Sequence, residues 1–441
     1  MANTTKEDIG PTKEHGKGSV YTVSTVALAS CGILANMGYG FGIPFLPQVM
    51  IELGGRILYY AFVLAAFQVN RAVFSTQLGK VSDQHGRKPV LIGGLLIFSI
   101  SALVYALLIR SWWHMIIAAS LMGVGAGTIW PVAEASLIDQ VDPKRRGEGM
   151  AFYLTASNAG FLLGPAIGGV LHHYANQSLQ KSFVESSQFV YLFSTAITLV
   201  AILIVQILVK ETVIPQIMSK NQKRIPKVEV VSLSFEERDL WTPEHRQSIQ
   251  TLYVVSLTNG VSVGLVTSIT PYFLAFVYGV GPKEIGYVFT LSGIFGLCVN
   301  LIAGRMADRI GRKPLVLFGT GTSRLSTYGL PFSPTIPIVT GFLSLRMLGL
   351  NVSMPATRAL QSDLVPSPVR GKYFGRLQAF FNVGMVFAPF GGTFLYETYH
   401  KNTLARGLPG YILPFWLSAT IGIMALTLFA LRVKEPKQAV L

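Results

Sequence analysis

The chain is short of charge. Of its 441 residues, 13% are Asp, Glu, Lys or Arg, against roughly 25% in a soluble domain. With 51% hydrophobic residues and a mean hydropathy of +0.48, that scarcity argues against a water-soluble fold and for a membrane. Acids are the rarer sign, 21 against 36 Lys and Arg, for a formal net charge of +15. Cysteine is almost missing: Cys31 and Cys298 lie in separate apolar runs, so no disulfide framework can be read from them. No histidine spacing suits a metal. There is no phosphate loop and no nucleophile elbow, which leaves an enzyme without its machinery. Residues 1–18 are polar, and the long apolar run after them is followed by more of its kind, unlike a cleaved signal peptide.

What is present is long apolar runs. A helix crossing a bilayer needs roughly 20 mostly apolar residues. Twelve such runs can be drawn, at 20–46, 57–78, 90–109, 113–138, 149–172, 187–209, 248–278, 284–303, 314–333, 335–360, 373–396 and 409–432. They divide the chain into a tail (1–18), a six-helix bundle (19–209), a polar linker (210–247), a second six-helix bundle (248–432) and a short tail (433–441). The linker has room for a short amphipathic helix on the membrane surface. The basic residues fall overwhelmingly in the tails, the linker and alternate loops. The opposite loops hold Arg56, Arg110, Lys181, Lys283, Lys401 and Arg406. Lys and Arg are retained on the cytoplasmic side, so both termini are expected there. The same placement explains the basic balance without any nucleic acid.

Between the second and third runs stands Gly79-Lys80-Val81-Ser82-Asp83-Gln84-His85-Gly86-Arg87-Lys88-Pro89. Its skeleton, G-x-x-x-D-x-x-G-R-K-P, returns 225 residues later as Gly304 to Pro314, with Asp308, Gly311, Arg312 and Lys313 in register. The spacing reads as a tight interfacial turn, in which glycine permits unusual backbone angles and the bases face the cytoplasm. The repeat runs further. Pro131, Glu134, Asp139, Arg146 and Gly147 correspond at an offset of 224 to Pro355, Arg358, Asp363, Arg370 and Gly371. Gly160, Pro165 and Gly168 correspond to Gly384, Pro389 and Gly392, and Pro47 to Pro271. One offset held from the first helix of each half to the fifth means duplicated bundles, the pattern of parallel repeats that rock about a midplane site.

These loops resemble the signature between helices 2 and 3 of major facilitator superfamily transporters and its twin between helices 8 and 9. The resemblance covers nearly the whole chain and implies an all-α membrane fold, two six-helix bundles related by a pseudo-two-fold axis. It further implies that Gly79, Asp83, Gly86, Arg87 and Lys88 form a conformational switch, with Arg87 paired to Asp139 at the inner end of helix 4, seven residues before Arg146-Gly147. Arg312 with Asp363 would be the second copy, alongside Gly304, Asp308, Gly311 and Arg370. The sequence Gly160-x-x-x-Gly164-Pro165-x-x-Gly168-Gly169 resembles the antiporter motif of the drug:proton antiporter branch and implies export. On chemistry alone it is a stripe of small residues for close helix packing. The family's glycine nine residues earlier is Ala151, and its helix 4 arginine, four residues before Gly123, is Ala119. The chain thus departs from the family at the arginine to which the resemblance ties proton coupling.

Within the helices Glu134 is the remaining titratable acid away from the loops. It is a candidate for proton coupling or, with the oppositely charged Arg358 at the equivalent place, for an interdomain gate. Arg71, Arg324, Arg346 and Arg358 fall inside apolar runs. Such a charge costs at least ~2.5–3.5 kcal/mol on insertion scales, unless it snorkels or bonds to carbonyls. If two or more face the cavity, an anionic cargo is implied. Candidate cavity residues are Asn36, Tyr39, Arg71, Trp130, Asn259, Arg346 and Asn382. The reading is a secondary transporter of a small amphipathic or organic molecule, working by alternating access with proton-coupled export. It needs no cofactor beyond the proton motive force, and is expected to act as a monomer in the cell membrane. A sugar or organic-anion importer or uniporter, a lipid translocase, and a non-transporting receptor remain alternatives.

Overall fold

The computed structural model describes residues 20–212, 243–365, 370–403 and 407–433. Thirteen α-helices make up these residues. The first half holds α1 (Val23–Gly40), α2 (Leu46–Glu52), α3 (Tyr60–His85), α4 (Arg87–Leu107), α5 (Trp112–Gln140), α6 (Arg146–Gln177) and α7 (Phe183–Leu208). The second holds α8 (Pro243–Tyr278), α9 (Pro282–Ile310), α10 (Arg312–Gly329), α11 (Ile336–Leu364), α12 (Arg370–Tyr399) and α13 (Leu413–Arg432). With α1 and α2 taken as one broken crossing, this makes twelve. Among the described residues, ten helical segments are long and apolar enough to span a bilayer. The others are α2, α9 and α10. The last is too polar by this measure because Arg312, Lys313 and Arg324 share its 18 residues.

The helices outrun the apolar stretches. The expected interfacial turn at 79–89 is mostly helix: α3 continues to His85 and α4 starts at Arg87, with Gly86 alone between them at φ 106°. Gly311 does the same between α9 and α10 at φ 99°. Both values lie where a side chain is strained, which is why glycine recurs here. The first run, expected unbroken over 20–46, instead stops at Gly40 and restarts at Leu46. The linker's polar stretch ends sooner than its composition indicates, since α8 already begins at Pro243. The amphipathic helix expected there lies outside the described residues.

Five helices carry an internal proline: Pro131, Pro165, Pro271, Pro355 and Pro389. Each gives up one backbone hydrogen bond, which membrane helices tolerate where neighbours cover the gap. The repeat is visible atom by atom. A Cβ on Gly160 would meet the Ile33 carbonyl at 2.2 Å, and one on Gly384 the Leu257 carbonyl at 2.6 Å. Gly168 faces the Phe41 carbonyl as Gly392 faces that of Leu265. Ile33 and Leu257, like Phe41 and Leu265, are 224 residues apart. Thus α6 lies on α1 as α12 lies on α8, with glycine letting backbones touch. The halves join along two seams, α6 against α9 and α3 against α12.

Candidate functional site

At the end bearing the glycine-broken turns, Arg87 is a hub. Its Nη1 reaches Asp83 Oδ1 at 2.5 Å, one helical turn back, and donates to Ser82 Oγ at 2.8 Å. Its Nε reaches Asp139 Oδ2 at 3.1 Å, joining α4 to the end of α5. In the second half Arg312 forms an ion pair with Asp363 and donates to the Ala359 carbonyl at 3.2 Å. The lysines repeat as well: Lys88 Nζ donates to the Gln206 carbonyl and Lys313 Nζ to that of Ala430, each at 2.7 Å. Gly79 packs against nothing within 4 Å of its Cα position's missing side chain, and Arg146 is exposed. The side chains of Asp308 and Arg370, and the surroundings of Gly304, lie outside the described residues.

One partner of this hub is absent from the sequence motif. Glu211, just past α7, accepts the Arg87 amide at 2.9 Å through Oε1 and the Lys88 amide at 3.0 Å through Oε2. Those N–H groups open α4 and have no helical acceptor, so a carboxylate there is favoured by both hydrogen bonding and the helix dipole. Gly86 makes room for it, since a Cβ would come within 2.7 Å of Oε2. The sequence carries a signal for this residue: Val209-Lys210-Glu211 returns as Val433-Lys434-Glu435 at the offset of 224. Glu435 lies outside the described residues.

At the opposite end the halves are sealed together. Arg56 Nε meets Glu397 Oε1 at 2.6 Å, and the other carboxylate oxygen accepts the Leu58 amide at 2.8 Å. The Glu397 hydrogen bond holds the Arg56 guanidinium above its ordinary pKa. Beneath the pair, Tyr60 meets Tyr272 edge-on at 6.0 Å and Phe62 meets Phe390 at 4.9 Å. Along the other seam Gly169 faces the Pro282 carbonyl and Gly286 that of Pro165. There Thr290 Oγ1 accepts the Ala166 amide at 3.2 Å and donates to the Leu162 carbonyl at 2.6 Å. A hydroxyl from one half thus sits between an amide and a carbonyl four residues apart in the other, beside Pro165. Nothing in the sequence marks Glu397 or Thr290, whose partners are more than a hundred residues away.

Beside the seal lies a cavity of about 440 Å³ between the halves, lined from both sides. The first half contributes Tyr39, Phe67, Phe161 and Met122; the second contributes Ser292, Arg346 and Asn351. Tyr39 stacks on Phe67 at 4.8 Å and on Phe161 at 6.0 Å, and meets Trp130 edge-on at 6.2 Å. A second cavity, about 360 Å³, opens within the second half and is lined by Asn259, Arg324, Arg358, Gln361 and Gln378 among others. Of the cavity candidates, Tyr39 and Arg346 line the first and Asn259 the second. Asn36 donates to its own helix at Gly32, Arg71 lies over the Trp130 ring at 5.0 Å, and Asn382 accepts from Gln378. These three, with Trp130, line neither.

The four intramembrane arginines differ. Arg324 is buried and satisfied in part, donating to Ser262 Oγ at 2.6 Å and Asn259 Oδ1 at 2.7 Å. Gly422 leaves its space, as a Cβ there would sit 2.3 Å from Nε. Arg346 is 3% exposed, and its Nε and Nη2 have no hydrogen-bond partner. Arg71 is half-buried. Arg358, expected inside the membrane run, is exposed and donates to Gln378 Oε1 at 3.1 Å; a cleft, not the bundle interior, takes its charge. Glu134 is half-buried on α5 and is joined to neither Arg71 nor Arg358 by an ion pair among the described residues.

A model of the Major Facilitator Superfamily matches residues 28–278 and 252–441. Multidrug resistance protein 2 of Bacillus subtilis (strain 168) is 25% identical over 386 residues, covering 84% of this chain and 88% of that one. Among solved structures, a bacterial homolog of the human lysosomal transporter Spinster, inward-facing and unoccupied, superposes with a TM-score of 0.76 at 13% identity, covering 95% of this chain and 98% of that one. A D-xylose-proton symporter gives 0.74 at 14% identity, covering 94% and 98%.

Proposed function

Because the chain belongs to the major facilitator superfamily, we propose that it is a proton-coupled exporter of small amphipathic molecules, working by alternating access. The observation that carries alternating access is the asymmetric closure. Ion pair, rings and helix seams join the halves at the Arg56–Glu397 end, beside a cavity lined by both. The tails' and linker's positive charge supports putting the other end in the cytoplasm; on this reading the arrangement is inward-facing, in a protein of the cell membrane with both termini inside. Export is supported by the tight α1–α6 packing of Gly160, Gly164 and Gly168 and by relatives that are named as multidrug resistance proteins. Rocking breaks one seal and makes the other, and ligand affinity that differs between the states drives the exchange.

Ala119 lines the cavity where the family's coupling arginine is expected, which leaves Glu134 to carry the proton. In proteoliposomes bearing an imposed pH gradient, the wild type should move cationic and anionic dyes uphill, and Glu134→Gln should reduce this to downhill leak. Uphill transport by Glu134→Gln would assign coupling elsewhere. No gradient-driven movement of any dye by the wild type would remove the exporter reading.

A further inference from the structure

The central cavity is polarised by the repeat itself. Met122 and Arg346 stand 224 residues apart, at equivalent places on α5 and α11, and both line it. One half therefore presents a thioether where the other presents a guanidinium. The remaining lining follows the same division. Tyr39, Phe67 and Phe161 build a stacked aromatic wall on the first half, while Ser292 and Asn351 line the cavity with Arg346 on the second. The Ser292 hydroxyl, like Nε and Nη2 of Arg346, is buried without a hydrogen-bond partner. Among the described residues, no Asp or Glu lines this cavity or its neighbour.

A buried charge without a partner is expensive, and proteins pair such groups or place them where a ligand pairs them. Arg346 lies ten residues into α11 from Ile336, about 15 Å along the helix axis, too deep to reach the interface. Arg324 lines the neighbouring cavity, and both of its terminal nitrogens are engaged, Nη1 by Ser262 and Nη2 by Asn259, with Nε alone left without a partner. Arg346 lines the cavity and keeps Nε and Nη2 without a partner. A guanidinium with two free N–H directions is shaped for a carboxylate or similar oxyanion.

Resting on the transporter reading above, we propose that the cargo is an amphipathic organic anion, with its acid group held by Arg346 and Ser292 and its flat apolar body against Tyr39 and Phe161. Selectivity would then be divided between the halves: the second reads charge, the first reads shape.

The test uses the purified full chain and three probes with one aromatic body: 2-naphthylacetate, 2-naphthylacetamide and 2-(2-naphthyl)ethylammonium, titrated by calorimetry. A charge-assisted pair in a desolvated site should favour the carboxylate over the amide by about tenfold or more, with the ammonium weakest. Arg346→Gln should level carboxylate and amide, and Arg346→Lys should keep part of the preference. Should Arg346→Gln fail to elute as a folded species, Asn351→Asp supplies an internal counter-ion in the same cavity and should suppress carboxylate binding. Equal affinity for all three probes, including none, overturns the proposal. So does unchanged carboxylate preference in folded Arg346→Gln or in Asn351→Asp, or binding of chloride alone as tight as that of the carboxylate. Gradient-driven dye transport is measured in parallel. Carboxylate preference without uphill transport keeps the site and removes the exporter reading; uphill transport without that preference does the reverse.

Discussion

Glu211 caps the helix that Arg87 begins: one carboxylate takes the Arg87 amide at 2.9 Å and the next amide at 3.0 Å. The end of α7 is thereby fastened to the turn in which Arg87 also grips Asp83 and Asp139. The ends of four helices of one bundle, α3, α4, α5 and α7, meet in this cluster. If it stabilises the inward-facing arrangement, Arg87→Ala and Asp83→Asn should slow transport by roughly tenfold or more while leaving ligand binding intact, since charge-assisted bonds contribute about 1.5–3 kcal/mol each. Glu211→Gln, which keeps an acceptor, should do less. Wild-type transport rates in liposomes for both Arg87→Ala and Asp83→Asn would remove the switch role.

The Arg56–Glu397 pair closes the opposite end, and the Leu58 amide shares the same carboxylate. Glu397→Gln should weaken both contacts and raise the outward-open population. The shift should shrink in high salt, because an exposed pair is screened. Spin labels across that end report it directly. A distance distribution identical to wild type at low salt would leave the pair without a gating role.

Glu134 and Arg358 occupy equivalent positions with opposite charge, on helices α5 and α11 facing each other across the pseudo-two-fold axis. In the arrangement described they are not joined: Arg358 turns to Gln378. An ion pair that forms only when the other end closes would favour the outward-facing state by its energy difference between states. Glu134→Arg or Arg358→Glu alone should then favour inward-open, and the double swap should restore the balance. Single variants with wild-type distances across the end that bears the glycine-broken turns would argue that no such bond forms.

Gly160 lies against the backbone of Ile33, with 2.2 Å left for a Cβ. Gly160→Ala must push α6 from α1, and overpacking of this kind costs about 1–3 kcal/mol. The variant should melt several degrees lower than wild type. Gly147→Ala, where a Cβ meets nothing within 4 Å, is the control and should not. Equal melting temperatures would mean the two helices part without cost.

How much of this the sequence carried depends on what each residue needed. Glycine at 86 and 311 is legible because its backbone angle admits little else, and Arg87 and Asp139 because their spacing recurs in Arg312 and Asp363. The Val-Lys-Glu triplet carried Glu211 in the same way, though only its place after α7 gives it meaning. Glu397 and Thr290 were illegible: their partners, Arg56 and Leu162, come from the other half, and no period links them. Arg346 and Arg324 look alike in sequence, each a lone base in an apolar run. Only packing separates them, since Ser262 and Asn259 reach one and not the other.

Thr290 brings a consequence for how the halves part. Its hydroxyl intervenes between the Ala166 amide and the Leu162 carbonyl, which are natural partners within an α-helix. When α9 withdraws, those two groups can close on each other, so the helix reclaims internally what it lends to its neighbour. Burying an orphaned amide and carbonyl in hydrocarbon would resist separation by several kcal/mol. An exchange of partners would spare the seam that penalty, so a well-bonded contact between the halves need not hold them shut.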